Sequence, residues 1–243
     1  MAVFYAVVGA SRGIGLEFVR QLAARKDAVV FAVVRSKQNS THLAAAVANL
    51  DNVHIIEGDV VDPKSISRAA EQIASISGGK LDYLIHNAAR MDKNLYRGYN
   101  DFISAFLPLL RAGTTKKIVV ISTGGAHTES INAAGISGMV AYGTTKAAAV
   151  MITTKWALQL KNEGFVVVSL APGLVDTTGT RGESGDPDAR ARLLKAAEAL
   201  HAAGSSLQVE TPAESVSKQL KIIDNLSPSD SGRLLSHDGH PFF

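Results

Sequence analysis

Short apolar runs alternate along the chain with stretches whose apolar residues recur at helical spacing. Six runs, Val3–Val8, Ala28–Val34, Val53–Glu57, Leu81–His86, Lys117–Ser122 and Phe165–Ala171, are rich in Val, Ile, Leu or Ala, and a seventh lies at Arg233–Ser236. Most of them lack period-two alternation. Strands of that kind bury both faces, as in parallel sheets covered by helices. Between them, Arg12–Lys26 sets Ile14, Phe18, Val19 and Leu22 on one helical face. Asp62–Pro63 reads as an N-cap with Pro at the first helical position, opening Pro63–Ile76. Asp186–Pro187 repeats the signal for Pro187–Ala203, with Gly204 as the stop, and Thr211–Pro212–Ala213–Glu214 reads as a capping box. Strands alternating with helices imply right-handed βαβ units. The expectation is an α/β fold: a doubly wound parallel sheet of about seven strands, helices on both faces, one domain over 1–243.

Composition narrows the chemistry. Of the 243 residues, 46% are apolar and 19% charged, a globular balance. The chain holds no Cys, which removes disulfides, thiolate metal sites and cysteine nucleophiles. A formal net charge of +3 without a dense basic run gives no argument for nucleic acid. No stretch approaches the ~20 apolar residues of a membrane span, and the apolar start MAVFYAVVGA reads as a first strand, not a leader. A cytoplasmic location with no membrane partner is expected.

Candidate chemistry begins right after the first strand. Gly9–Ala10–Ser11–Arg12–Gly13–Ile14–Gly15 puts three glycines at a strand-to-helix turn. Such a turn lets backbone approach a pyrophosphate and aims helix amides at it, although glycines there also serve tight packing. The second strand ends at Val34–Arg35, where an acidic residue would bind the ribose hydroxyl of NAD. Arg35 and Arg12 favour a 2′-phosphate instead, because guanidinium grips phosphate bidentately; NADP is preferred over NAD. The alternative is two ordinary surface arginines.

Tyr142 and Lys146 stand at i and i+4, on one helical face. A free phenol has a pKa of about 10. A nearby ammonium lowers it, so Tyr142 would exchange protons with a carbonyl or alcohol as general acid or base. By itself the pair is also what a solvated helix face looks like.

Taken together these residues resemble the short-chain dehydrogenase/reductase family over nearly the whole chain. Gly9 to Gly15 match its cofactor loop and Tyr142 with Lys146 its catalytic pair. Asp59–Val60 resembles the pair flanking the adenine, and Asn87–Ala88–Ala89 the Asn-Ala-Gly segment after the fourth strand, with Ala for Gly. Pro172–Gly173–Leu174–Val175–Asp176–Thr177 resembles the stretch that holds the nicotinamide carboxamide. The resemblance implies a Rossmann-type fold and an NADP-dependent oxidoreductase that reduces a small ketone or aldehyde. In it Tyr142 protonates the oxygen, Lys146 tunes Tyr142 and binds the nicotinamide ribose, and a hydroxyl at the end of the fifth strand polarises the carbonyl. It also implies a lid over residues 177–210 and a homodimer or homotetramer. Met151, Trp156 and Leu160 would supply an apolar contact face, unless they pack on their own sheet in a monomer.

Two departures stand out. Where the family carries its catalytic Ser, this chain has Glu129; aligning on the strand puts Thr123 at the catalytic hydroxyl, with Ser122 and Ser130 as substitutes and Gly124–Val140 as a long loop. The stretch from Asn87 to Pro108 is also short for the family's loop and long helix. Asn94 resembles the catalytic Asn of the proton relay, and Leu95–Ala112 would span ~27 Å, enough to cross the sheet. A shortened wall and a displaced hydroxyl give the alternative function: an NADP-binding regulator or scaffold with weakened turnover. The tail Asp238–Phe243 is expected to tuck its aromatics onto the body without chemistry, and its histidines lack a metal-ligand arrangement.

Overall fold

The computed structural model describes residues 1–88, 95–135, 137–180, 187–202 and 204–242. Seven strands form one parallel sheet: β1 (Val3–Val8), β2 (Ala28–Val34), β3 (Val53–Glu57), β4 (Tyr83–His86), β5 (Lys117–Ile121), β6 (Val166–Leu170) and β9 (Leu234–Leu235). Their order is β3-β2-β1-β4-β5-β6-β9, so strand order reverses between β1 and β4. Ligands of open α/β sheets bind beyond the carboxyl ends of the strands at such a reversal. The register puts Val8 beside His86 and Ile121 beside Leu170, which brings the turns after β1, β4, β5 and β6 to one edge.

Helices cover both faces, as the continuous apolar strands require. On one face α1 (Gly13–Ala23) and α8 (Pro212–Asn225) bury Phe18, Val19, Leu22, Val216, Leu220 and Ile223 against Val7, Ile85 and Val119. On the other, α3 (Pro63–Ser77), α4 (Leu95–Ala112) and α6 (Val140–Leu160) bury Ile66, Ile73, Phe102, Phe106 and Leu160 against Ala6, Val8 and Leu84. Two of the expected caps are in place: Asp62 accepts from Lys64 N at 3.0 Å, and Thr211 and Glu214 form both bonds of a capping box; Asp186 lies outside the described residues, and Gly78, not singled out in the sequence, ends α3 at φ +67°.

Buried Asp82 ties the opposite edge together. It accepts from the amides of Phe4 (3.0 Å), Thr114 (2.9 Å) and Thr115 (3.3 Å) and from the Thr114 hydroxyl (2.9 Å). Burial by itself would raise its pKa; these donors outweigh it and hold the carboxylate ionised below its ordinary range.

Four elements have no counterpart in the periodicity. They are α2 (Thr41–Val47), α5 (Thr128–Ala134) inside the stretch expected as a long loop, and the two-residue strands β7 (Leu174–Val175) and β8 (Val209–Glu210), which pair in parallel. Between β7 and β8 the chain carries α7 (Ala189–Ala202), which buries only Ala189 and Ala197. No helix of the described residues is long and apolar enough to cross a membrane.

Candidate active site

The glycine turn is shaped by what crosses it. A Cβ on Gly15 would fall 2.2 Å from the Gly9 carbonyl oxygen and 2.6 Å from Asn87 Nδ2. Gly9 has φ +80°, and a Cβ there would lie 2.7 Å from the backbone of Ala88. Asn87 Nδ2 donates to the Gly9 carbonyl at 3.1 Å, so the segment after β4 is pinned across the turn. These two glycines are thus explained by chain packing. Gly13 (φ +57°) faces Thr177 instead, and its N–H donates to Thr180 Oγ1 at 2.9 Å.

The turn suits an anionic oxygen. Helix α1 has no side-chain N-cap bond and no acidic residue in its first turn, whereas Asp62 caps α3 and Thr211 with Glu214 caps α8, so no carboxylate competes there. The first amides of a helix seek acceptors and carry partial positive charge. Ser11 and Ile14 are half-buried at the turn and Arg12 is exposed, as is Arg35 directly after β2. A pyrophosphate bearing a 2′-phosphorylated adenosine fits this donor set. After β3, Asp59 Oδ1 accepts from Val61 N at 3.2 Å, its N–H donates to Ser65 Oγ at 3.1 Å, and Val60 packs against the core.

Beyond β5, the start of α6 packs on the turn that carries Thr123: a Cβ on Gly143 would lie 3.3 Å from the Gly125 carbonyl oxygen, and the Thr123 hydroxyl is near enough to Tyr142 to lower its pKa. Thr123 Oγ1 also accepts from Gly125 N at 3.2 Å, which fixes its rotamer. Ser122 Oγ is buried without a hydrogen-bond partner among the described residues, and Ser130 lies 3.2 Å from His127 Nδ1. Glu129 is exposed on α5. The structure therefore sets Thr123 close to Tyr142.

Lys146 does stand one turn after Tyr142, but its amine turns inward. Nζ donates to the Ile121 carbonyl at 2.6 Å and to Tyr99 Oη at 3.3 Å. Burial pushes its pKa down to about 8. Burial raises the pKa of Tyr142, and what opposes that is the Thr123 hydroxyl. Lys146 is not among the groups that lower it; its amine is held by the Ile121 carbonyl and Tyr99. Beside Lys146 lie two buried groups that sequence reasoning missed. Tyr99 has its pKa raised by burial and by Tyr142, and His86 is pushed down to about 3 by burial and by Lys146. The His86 ring is tilted against Tyr99 with centroids 4.5 Å apart, and its nitrogens have no partner among the described residues. A signal for Tyr99 was present: Tyr99, Phe102, Ile103 and Phe106 follow i, i+3, i+4, i+7 and all face inward.

The Pro172–Thr177 stretch is fastened at both ends. Ser215 Oγ donates to the Pro172 carbonyl at 2.8 Å, and Gly173 turns the chain at φ +83°. Val175 pairs with Glu210. Asp176 Oδ1 accepts from Thr178 N (3.0 Å) and Oγ1 (2.6 Å), and its other oxygen meets Arg190 at 3.2 Å.

Comparison with known proteins fits this geometry. A model of the short chain dehydrogenase family matches residues 4–188. The chain belongs to the short-chain dehydrogenase/reductase family. Members similar to it include Short-chain dehydrogenase/reductase atnB of Arthrinium sp, 36% identical over 262 residues and covering 97% of each chain. That alignment is longer than the 243-residue chain, so this family member carries segments that the present chain lacks. An NADPH-bound carbonyl reductase from chicken fatty liver superposes with a TM-score of 0.78 at 27% identity, over 100% of this chain and 99% of its own. Carbonyl reductase Sniffer of D. melanogaster shares the fold at TM-score 0.78 and 21% identity, over 99% and 98% of the two chains.

As a short-chain dehydrogenase/reductase, the protein is an oxidoreductase by family with a Rossmann-type sheet. Of the residues expected at the site, Ala89 and Asn94 lie outside the described residues, as does most of the loop at 179–185. The others fall at the carboxyl edge or one turn from it. The apolar face of α6 divides: Trp156 and Leu160 are buried in the molecule's own core, whereas Met151 is 58% exposed. Thr180, which meets Gly13, had no signal in sequence, because its contact comes from 167 residues away.

Proposed function

We propose that the protein is an NADP(H)-dependent carbonyl reductase that takes a small ketone or aldehyde to its alcohol. The observation that carries this reading is the packing of the start of α6 on the turn after β5, which sets the Thr123 hydroxyl close to the Tyr142 phenol at the carboxyl edge of the sheet. Two hydroxyls from different elements converge there, on the edge that also bears the glycine turn. When bound at that turn, NADPH supplies the hydride that adds to the carbonyl carbon. Tyr142 gives its phenolic proton to the carbonyl oxygen; its raised pKa keeps the phenol protonated, the form that reduction needs. Thr123 donates to the same oxygen and stabilises its developing charge. Lys146, whose amine is held at the Ile121 carbonyl and Tyr99 Oη rather than at the phenol, is left to the nicotinamide ribose. Gly9, Ser11, Arg12, Gly13, Ile14 and Gly15 hold the pyrophosphate side and Arg35 the 2′-phosphate. Asp59 and Val60 flank the adenine, and Asn87, Ala88, Pro172, Gly173, Val175 and Thr177 line the nicotinamide side. The chicken relative's bound NADPH supports the choice of cofactor.

Two measurements test these assignments. Thr123→Val is expected to lower kcat/KM for a carbonyl substrate about 100-fold, because an oxyanion donor is lost, while Ser122→Ala stays within about twofold. Equal activity in both variants would remove Thr123 from the mechanism. Arg35→Asp is expected to shift the ratio of kcat/KM for NADPH over NADH toward NADH by about 10- to 100-fold, the worth of charge-assisted hydrogen bonds to a phosphate. An unchanged ratio would return Arg35 to an ordinary surface residue.

A further inference from the structure

The C-terminal tail doubles back over the site. Strand β9 runs parallel to β6, so the chain leaves it at the carboxyl edge, beside Thr123 and Pro172. It then reverses: Ser236 N donates to the His240 carbonyl at 2.8 Å, Gly239 adopts φ +88°, and Phe242 N returns to the Leu234 carbonyl at 2.9 Å. This turn delivers two rings. The Phe242 ring sits 3.3 Å from where a Cβ on Gly124 would be, one residue after Thr123. His237 lies 3.4 Å from the corresponding point on Gly173. Each ring thus lies close over a glycine of the turns that follow β5 and β6. The His127 ring, 5.8 Å from Phe242 between centroids, extends the same surface. Phe242 and His127 are both only partly buried, so ring surface remains for a ligand.

We infer that Phe242, with His127, forms the substrate wall next to the Thr123–Tyr142 pair and selects carbonyls attached to a flat aromatic ring. The inference rests on the carbonyl-reductase reading and adds the substrate class to it. Aromatic faces stack on one another more favourably than on a saturated ring of equal size.

The test compares benzaldehyde with cyclohexanecarboxaldehyde, which differ in ring flatness but little in size. Intrinsic reactivity cancels when the ratio of their kcat/KM values is compared between variants. Phe242→Leu keeps apolar bulk and loses the ring, so the ratio is expected to fall about three- to tenfold. Phe242→Tyr restores the ring and is expected to return the ratio to within about twofold of the parent. A ratio that Phe242→Leu leaves unchanged overturns the inference while the carbonyl-reductase reading stands. Should Phe242→Leu fail to fold, a ratio that His127→Leu leaves unchanged overturns it, and a fall in His127→Leu with Phe242→Tyr within about twofold of the parent upholds it. NADPH binding by the parent with turnover of neither aldehyde, nor of any ketone tried, overturns both readings.

Discussion

Tyr142→Phe is expected to abolish most of the hydride transfer while leaving cofactor binding nearly intact. The substitution removes one oxygen: the proton donor of the proposed reduction, which lies close to the Thr123 hydroxyl. Positioned general acids contribute roughly 10²–10⁴-fold. The ring itself remains, so packing on α6 is kept and the loss falls on kcat rather than on stability. Single-turnover oxidation of NADPH would read the chemical step, and fluorescence titration the cofactor affinity. A loss of at least about 100-fold in the first, with the second within about twofold, supports the enzyme. Tight NADPH binding with no turnover in the parent, unaffected by Tyr142→Phe, would support the regulator instead.

Gly15→Ala is expected to damage fold and cofactor site together. The added methyl would stand 2.2 Å from the Gly9 carbonyl oxygen and 2.6 Å from Asn87 Nδ2. The first of these is backbone and cannot rotate away. Helix α1 must then move off β1, or the Asn87–Gly9 bond must break. Overpacking of this kind costs about 1–3 kcal/mol. For a chain of this size that corresponds to a drop in Tm of roughly 2–10 °C. NADPH affinity should fall at least about tenfold, since the displaced amides are those proposed to hold the pyrophosphate. Gly179→Ala is the control, because a Cβ there meets nothing within 4 Å. Equal Tm and affinity in Gly15→Ala and the parent would show the turn to be more pliant than its geometry implies.

How much could be read from sequence depended on how local the physics was. The helices opened by Asp62–Pro63 and by Thr211 appear within a residue or two of expectation, because caps act across three or four residues. The continuous apolar runs became the central sheet because a strand covered on both faces has no polar position to spare. Short elements escaped: β7 and β8 hold two residues each and pair across 33 intervening residues, and α5 is only seven residues long.

By itself, then, the order of residues determined the alternating architecture, the glycine turn after β1 and the spacing that puts Tyr142 and Lys146 on one side of α6. Only the tertiary structure decided which hydroxyl meets Tyr142, where the Lys146 amine points, and which rings cover Gly124 and Gly173. The reason is geometric. A helix or strand period fixes the direction of a side chain relative to its own backbone, whereas partners drawn from separate strands are set by register and by the close approach of chains at glycines, which no local pattern encodes.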